Sequence, residues 1–584
     1  MNETIARELK DDVSIVLCGE AGQGIQTVER LLTRVMKQAG FNVFSTKEYM
    51  SRVRGGSNST EIRISSKRRT AFVNRIDILI PLDKDAITHL ACRISEKTLI
   101  IGEKEKLGDT GCPVIDVPFT KIAASVGGII YANTVAVGMI MGLFRIELDI
   151  LNEFLGRFFH AKSADVIQKN KEAGAKGYEI GVNLSRQGKI DISVQRHPGV
   201  KDEVLANGAE FLSMGAVAGG CNFIAAYPMT PSTGILTFMS QHSADFGIFA
   251  EQAEDEISAI NMVIGAWYAG ARGMVATAGG GYALMVEAVS LAGMIESPIV
   301  ISVGQRPAPA TGLPTRTEQG DLEHVLYSGH GEFPRLILAP GDIESAFLLT
   351  QKAFNLADKF QVPVYILNDQ FLADMYYNMP EPDLSKLKVE RYIVKTGKDY
   401  ERFGFTESGI SPRGIPGYGE GFVDVDSDEH DENGHITEDF DVRKKMVEKR
   451  LKKMGSIMKE IVPPELYGNE NYQSLVVGWG TNYSVVKEAL EYMGRDDVSF
   501  LHFSQVYPLH PDTAGYLTRA KNLILIENNA TAQFGKLIKL YAGIDIQNKI
   551  LKYNGLPFTV EEVVYYLNEL LQPHAEPAVA RAGV

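Results

Sequence analysis

The sequence predicts a multidomain α/β protein, and three observations carry that reading. Short apolar runs at Ser14-Ile-Val-Leu-Cys18, Met274-Val-Ala-Thr-Ala278 and Asn522-Leu-Ile-Leu-Ile526 read as strands, the first like a buried parallel one. The first two are followed at once by glycine turns and helical stretches. The 584 residues, 45% hydrophobic and 23% charged, suffice for about three cores.

From the N-terminus, the strand Ser14–Cys18 leads into Gly19-Glu-Ala-Gly-Gln-Gly24 and a helix from Ile25. Backbone N–H groups at such a helix start can approach an anion, assisted by the helix dipole. The spacing G-x-x-G-x-G departs from the dinucleotide fingerprint G-x-G-x-x-G, so Gly22 and Gly24 fit a structural turn and an anion cradle alike. A second strand, Phe41 to Thr46, ends at Lys47 and precedes the basic loop Ser51-Arg-Val-Arg-Gly-Gly-Ser57. Its Arg52 and Arg54 suit a phosphate-bearing ligand or a solvated surface. Alternation over Ser59-Thr-Glu-Ile-Arg-Ile-Ser65 predicts a half-exposed strand within a domain of residues 1–190. Ser125 to Phe144 is uncharged over about 20 residues, near bilayer length. Its Asn133, Thr134 and glycines, and the lack of a second such stretch, favour a buried helix and no membrane.

A second domain, 191–385, begins around the turn-rich Arg196-His-Pro-Gly199. Glu203 to Gly219 reads as a helix and Phe223 to Tyr227 as a strand. The turn Pro228 to Ser232 then lies where α/β sheets place ligands, with Thr230 offering a hydroxyl. Glu254-Asp-Glu256 opens a helix reaching Ala271, whose Ile257, Ile260, Ile264 and Trp267 recur on one face. Acidic residues are ordinary at a helix start, so the triplet alone does not separate capping from chemistry. Met274–Ala278, a Gly279-Gly-Gly281 turn, the helix Tyr282–Met294 and the strand Ile299–Val303 complete a β-α-β-α-β alternation. The loop Gln305 to Arg316 holds three prolines and two arginines, Arg306 and Arg316, a stiff connection able to offer a guanidinium fork to a carboxylate.

Residues 386–462 read as a charged connecting segment. Asp424 to Gly434 is acidic, and Arg443-Lys-Lys445 and Lys449 to Lys453 are basic. An EF-hand begun at Asp424 fails, because Glu429 takes its glycine position and His435 its bidentate glutamate position. A solvated or interface loop before an amphipathic helix is expected instead. A third α/β domain, 463–584, has strands at Ser474–Gly478 and Asn522–Ile526 and a small-residue tail, Ala575 to Val584, expected to be mobile.

Fifty-nine basic against 73 acidic side chains give a net charge of −14, which disfavours a nucleic-acid surface. Cys18, Cys92, Cys112 and Cys221 are scattered without a Cys-x-x-Cys pair, so no cluster or other metal site is expected in this chain. Unpaired thiols and a polar start, Met1 to Arg7, without a signal-peptide apolar region point to the cytoplasm.

Tyr227-Pro-Met-Thr-Pro-Ser232, Glu254-Asp-Glu-Ile257 and Gly312-Leu-Pro-Thr-Arg-Thr-Glu-Gln319 resemble half of a thiamine-diphosphate site. Gly19 to Gly24, Arg54-Gly-Gly56, Glu429 to Asp439 and Glu527-Asn-Asn529 join them in order. The set resembles the alpha subunit of 2-oxoacid:ferredoxin oxidoreductases with a gamma domain fused in front, most like the 2-oxoglutarate subgroup, over nearly the whole chain. The chain has no Gly-Asp-Gly followed about 25 to 30 residues later by Asn-Asn, the arrangement that would hold a divalent metal and a diphosphate.

The resemblance implies oxidative decarboxylation of a 2-oxoacid with coenzyme A, giving an acyl-CoA and carbon dioxide, with electrons passing to ferredoxin. It implies thiamine diphosphate shared with a beta subunit that carries the diphosphate site, Mg2+ and a [4Fe-4S] cluster, in an (alpha-beta)2 heterotetramer. By the same resemblance, residues 1–190 form a gamma-type, coenzyme A-associated domain, 191–385 the pyrimidine-binding domain and 463–584 a transketolase C-terminal-like domain. There Glu527-Asn-Asn529 is a structural or subunit-contact element. Glu256, favoured over Glu254, sets its carboxylate against pyrimidine N1′, with Tyr227 and Pro228 beside the ring. Thr230 and Arg316 hold the substrate carboxylate, Arg306 being the competing arginine. Gly22, Gly24 and Arg54 serve coenzyme A. Lys47 joins them or reaches the distal end of a dicarboxylate such as 2-oxoglutarate. Pyruvate and branched-chain 2-oxoacids are the alternative substrates, and a non-catalytic coenzyme A-binding scaffold is the alternative of another class.

Overall fold

Apolar strands flanked by glycine turns produce three main sheets in the computed structural model, which describes residues 7–51, 56–572 and 578–582. The chain divides into two compact units, Met1–Ala206 with Met375–Glu381, and Asn207–Asp374 with Pro382–Val584. Arg52, Arg54 and the first six residues of the polar start lie outside the described residues.

The first unit is built on an eight-stranded sheet. Its strand order is Val114–Asp116, Leu99–Gly102, Ile78–Pro81, Asp12–Glu20, Ser57–Ser65, Asn42–Glu48, Tyr376–Met379 and Val204–Asn207. The half-exposed strand expected at 59–65 is instead buried on both faces. Ile62 and Ile64 enter the main core. On the opposite face Arg63 pairs with Asp12 and donates to Ala71 O at 2.6 Å, and Glu61 pairs with Arg93. Alternation therefore marked two buried environments, one apolar and one ionic.

The uncharged stretch 125–144 is split. The helix Phe119–Val126 and the helical stretch Ile129–Leu143 meet at 120°, and among the described residues no single helix is long and apolar enough to cross a membrane. The helix Ala132–Leu143 packs directly on Ala164–Arg186 through glycine. A Cβ on Gly177 would lie 2.0 Å from Val135 O, and one on Gly181 would lie 2.1 Å from Met139 O. The two backbones touch where a side chain would otherwise separate them.

In the second unit a seven-stranded sheet runs Phe249–Gln252, Phe223–Ala226, Gly273–Ala278, Ile299–Gln305, Pro363–Asp369, Leu336–Leu338 and, antiparallel, Gln505–Tyr507. A six-stranded sheet follows, ordered Glu465–Tyr467, Val498–Phe503, Ser474–Trp479, Asn522–Glu527, Asn548–Lys552 and Val579–Ala582. The last strand corrects the tail expectation, because residues 579–582 pair in parallel with 549–552.

Four further expectations change. The helix expected from Glu203 begins at Gly208, where Asn207 and Glu210 form a capping box, and Val204–Asn207 is strand. Ile257 is 49% exposed, whereas Ile260, Ile264 and Trp267 are buried. Gly279-Gly-Gly281 is the first turn of the helix Gly279–Met294. The basic run of the helix Phe440–Ile457 is only partly solvated, because Lys449 and Lys453 are buried on Glu296 at 2.5 and 2.6 Å. Arg450 donates to both oxygens of Glu429 at 3.0 and 2.9 Å, which consumes part of the acidic loop.

Replacing Gly177 by leucine should separate the two helices and cost on the order of 3 kcal/mol, measured as a lower urea midpoint for the purified chain. An unchanged midpoint would mean that the close backbone approach is dispensable.

Candidate functional site

Parallel strands set the site. Phe223–Ala226, Gly273–Ala278 and Ile299–Gln305 are neighbours in register, and their C-terminal ends deliver the 227–232 turn, the glycine start of the helix Gly279–Met294 and the 305–321 loop.

The acidic triplet separates into three roles. Glu254 is exposed, and Asp255 caps its helix by accepting from Ser258 N at 2.7 Å. Glu256 is 3% exposed, and its Oε1 has no hydrogen-bond partner among the described residues. A Cβ on Gly281 would lie 2.5 Å from that oxygen, so glycine is what allows the carboxylate and the helix start to approach. Burying a carboxylate oxygen unpaired is costly, and a ligand N–H would relieve it. A protonated ring nitrogen meets this requirement, so the residues present fit a pyrimidine.

Around it, Ser232 donates to Thr277 O, and Arg306 Nη1 donates to Thr230 O at 2.7 Å. Tyr227 is 41% exposed and Pro228 half-buried. The structure thus joins Arg306 to the backbone of Thr230, while Arg316 lies against Gly555, its Cβ 3.1 Å from where a Cβ there would sit. The two competing arginines occupy different places, and the sequence separated them only by motif context.

The loop carrying both arginines is fixed at Gln319, which the motif contained but to which no role was given. Its backbone N–H donates to Asn528 O at 2.7 Å and its Nε2 to Trp479 O at 3.0 Å. Its Oε1 accepts from Asn482 Nδ2 at 3.1 Å and from Asn528 N at 3.0 Å, and its carbonyl accepts from Asn529 Nδ2 at 3.1 Å. Asn529 also donates to buried Glu527 at 2.6 Å. Glu527-Asn-Asn529 therefore serves as an internal clamp.

In the first unit, Gly22 and Gly24 have φ of +96° and +81°, and Gly24 precedes the helix Ile25–Gln38 without a side-chain cap. A Cβ on Gly24 would lie 2.2 Å from Asn133 Nδ2, which donates to Gln23 O at 3.3 Å. Lys47 is half-buried opposite Thr60, its Nζ 5.9 Å from the Tyr49 ring centroid. All four cysteines are free, and burial pushes the Cys18 and Cys221 thiols up to about 12.

A family model described as "Pyruvate ferredoxin/flavodoxin oxidoreductase" matches residues 14–180. Another, "Pyruvate flavodoxin/ferredoxin oxidoreductase, thiamine diP-bdg", matches residues 214–449. The 2-oxoacid:ferredoxin oxidoreductase subunit alpha of Sulfolobus sp is 32% identical over 98% of this chain and 99% of its own. The chain belongs to this alpha-subunit family. It is therefore a subunit of an oxidoreductase acting on an oxo group with an iron–sulfur protein as acceptor. The 2-oxoglutarate synthase subunit KorA of Methanothermobacter thermautotrophicus is 31% identical over 62% of this chain and 97% of its own. A solved structure, "2-oxoglutarate:ferredoxin oxidoreductase from Magnetococcus marinus with 2-oxoglutarate, coenzyme A and succinyl-CoA bound", superposes with a TM-score of 0.89 at 30% identity, covering 96% of this chain and 100% of that one.

Two further carboxyls, in the stretch Thr317-Glu-Gln-Gly-Asp321, lie in this loop. Burial, with the Asp321 charge adding to it, pushes Glu318 up to about 7. Burial pushes Asp321 up to about 6 against the opposing Arg306 charge. Asp321 also fills the space at Gly279, its Oδ1 2.4 Å from where a Cβ would sit. A carboxyl whose folded pKa is raised supports the fold fully below its unfolded value of 4.5 and loses that support as pH rises through about 7. Glu318→Gln should therefore be relatively more stable than the parent at about pH 8 than at about pH 4, read as the difference in urea midpoints. A gap that does not change with pH would contradict the burial argument.

Proposed function

We propose that this chain, with a beta subunit, converts 2-oxoglutarate and coenzyme A to succinyl-CoA and carbon dioxide and sends two electrons to ferredoxin. The observation that carries the reading is the buried Glu256 carboxylate with an unpartnered oxygen at Gly281. The 2-oxoglutarate, coenzyme A and succinyl-CoA bound in the Magnetococcus marinus structure, and the KorA relatives, support 2-oxoglutarate over other 2-oxoacids.

Thiamine diphosphate, when bound, supplies the nucleophilic carbon and the electron sink. Glu256 holds a proton at the pyrimidine N1′, the general acid–base role of this chain. Tyr227 and Pro228 border the ring. Thr230 and Arg316 hold the substrate's C1 carboxylate by charge-assisted hydrogen bonds, and Arg306 fixes the turn that carries Thr230. Gly22, Gly24 and Arg54 serve the phosphates of coenzyme A, and Lys47 serves the distal carboxylate of 2-oxoglutarate. Residues 1–190 act as the coenzyme A-associated domain, 191–385 as the pyrimidine domain, 386–462 as the connector and 463–584 as the transketolase-like domain. The diphosphate site, Mg2+ and the [4Fe-4S] cluster belong to the beta subunit of an (alpha-beta)2 assembly. Four free cysteines agree with a reducing cytoplasm. Pyruvate is the second reading, favoured by the descriptions of the matching family models.

The purified chain with its native partner should reduce viologen fastest with 2-oxoglutarate in a panel of 2-oxoacids, and only with coenzyme A. A preference for pyruvate would transfer the assignment to the second reading, and activity of this chain alone would remove it. Glu256→Gln should leave the complex folded and lower turnover by about 10²- to 10⁴-fold. Wild-type turnover in that variant would take the proton-holding role from Glu256.

A further inference from the structure

The connecting segment brings an excess of buried positive charge into the second unit. Asp358 accepts from Arg272 Nε and Nη2 at 3.1 and 2.9 Å and from Arg413 Nη2 at 2.6 Å. Glu296 accepts the Lys449 and Lys453 ammonium groups. Arg402, lying near Glu296, donates to the backbone carbonyls of Ile295 and Glu296 at 3.3 and 2.9 Å. Three arginines and two lysines thus share two carboxylates. Arginine does not deprotonate in proteins. Even with both lysines neutral, three guanidinium charges against two carboxylates leave one positive charge over.

Two N–H groups of this cluster are also left over. Arg402 Nη1 and Arg413 Nε are buried without a hydrogen-bond partner among the described residues, and each arginine is 3% exposed. The residues Arg402 and Arg413 both line one cavity of about 20 Å³, together with Tyr268, Ser297, Pro298 and Val425. That volume admits a single particle the size of a water molecule or a halide. Asp424, between the lining residues Val423 and Val425, is exposed with His435 3.9 Å away and pairs with neither arginine. A water molecule would accept the two hydrogen bonds but would not offset the positive charge left over.

We propose that the cavity between Arg402 and Arg413 is a binding site for one monovalent anion of halide size. The ion receives the two unpartnered guanidinium N–H groups and ties the connector to the helix Glu256–Tyr268, to whose Trp267 O Arg413 donates at 3.1 Å. The site is structural and independent of which 2-oxoacid is used.

Crystals of the assembled complex grown in millimolar bromide should give an anomalous peak between the two arginines. The Tm of the complex should be a few degrees higher in chloride than in gluconate at equal ionic strength. Val425→Ile, which fills the cavity and keeps both arginines, should abolish the peak and the chloride dependence. Arg402→Met should do the same if it folds, and Val425→Ile decides the matter if it does not. Ordered water in place of bromide, or a chloride effect unchanged in Val425→Ile, overturns the proposal. A peak only at molar bromide with no stabilisation marks an adventitious ion only, and equally overturns it.

Discussion

The buried Gln319 amide holds the candidate site together. The 305–321 loop leaves the seven-stranded sheet carrying Arg306, Arg316, Glu318 and Asp321, and three prolines limit its conformations without choosing one. Gln319 makes that choice, because its backbone and side chain bond to Trp479 at the end of one strand of the six-stranded sheet, to Asn482 at the start of the following helix, and to Asn528 and Asn529 just past the strand Asn522–Glu527. Each of those partners is itself buried. Removing the amide would strand several polar groups at about 1 to 3 kcal/mol each, far more than a surface contact contributes. This part of the chain is thus coupled to the candidate site through hydrogen bonds to a loop.

A second constraint is ionic. Asp358 and Glu296 gather cations from the connector and from the helix Phe440–Ile457, and they replace the apolar anchoring that a segment so poor in regular structure lacks. Buried pairs of this kind contribute little net stability against an apolar alternative, but losing one partner is expensive. They specify where the connector lies. Burial draws Lys453 down to about 7 despite the Glu296 charge.

Legibility of the sequence followed locality. The strands at 14–18, 223–227, 274–278 and 299–303 were readable because each is a continuous apolar run bounded by glycine or proline. Glu256 could be preferred over Glu254 by motif spacing, and the structure separates the two by burial, one enclosed and the other exposed. What could not be read depended on partners distant in the chain. The polar face of 57–65 is buried only because Asp12, Ala71 and Arg93 receive it. Lys449 and Lys453 look solvated until Glu296, some 150 residues earlier, is placed beside them. Arg306 and Arg316 share one loop and one composition, and only its folded path sends the first to Thr230 and the second to Gly555.

A chain selected for stability alone would not bury Glu256 and Asp321 each with a carboxyl oxygen that has no partner among the described residues, and set glycine beside both. Each unmade hydrogen bond disfavours the unliganded fold by about 1 to 3 kcal/mol, and the interior of the sheet must offset it. The offset is visible in the fully buried strands Gly273–Ala278 and Ile299–Gln305 directly beneath these residues. Such a carboxylate is held in position before any ligand arrives, so a ring nitrogen that meets it gains a strong hydrogen bond without reorganising the protein. The same feature that weakens the unliganded fold is what would favour a hydrogen-bond donor at this position.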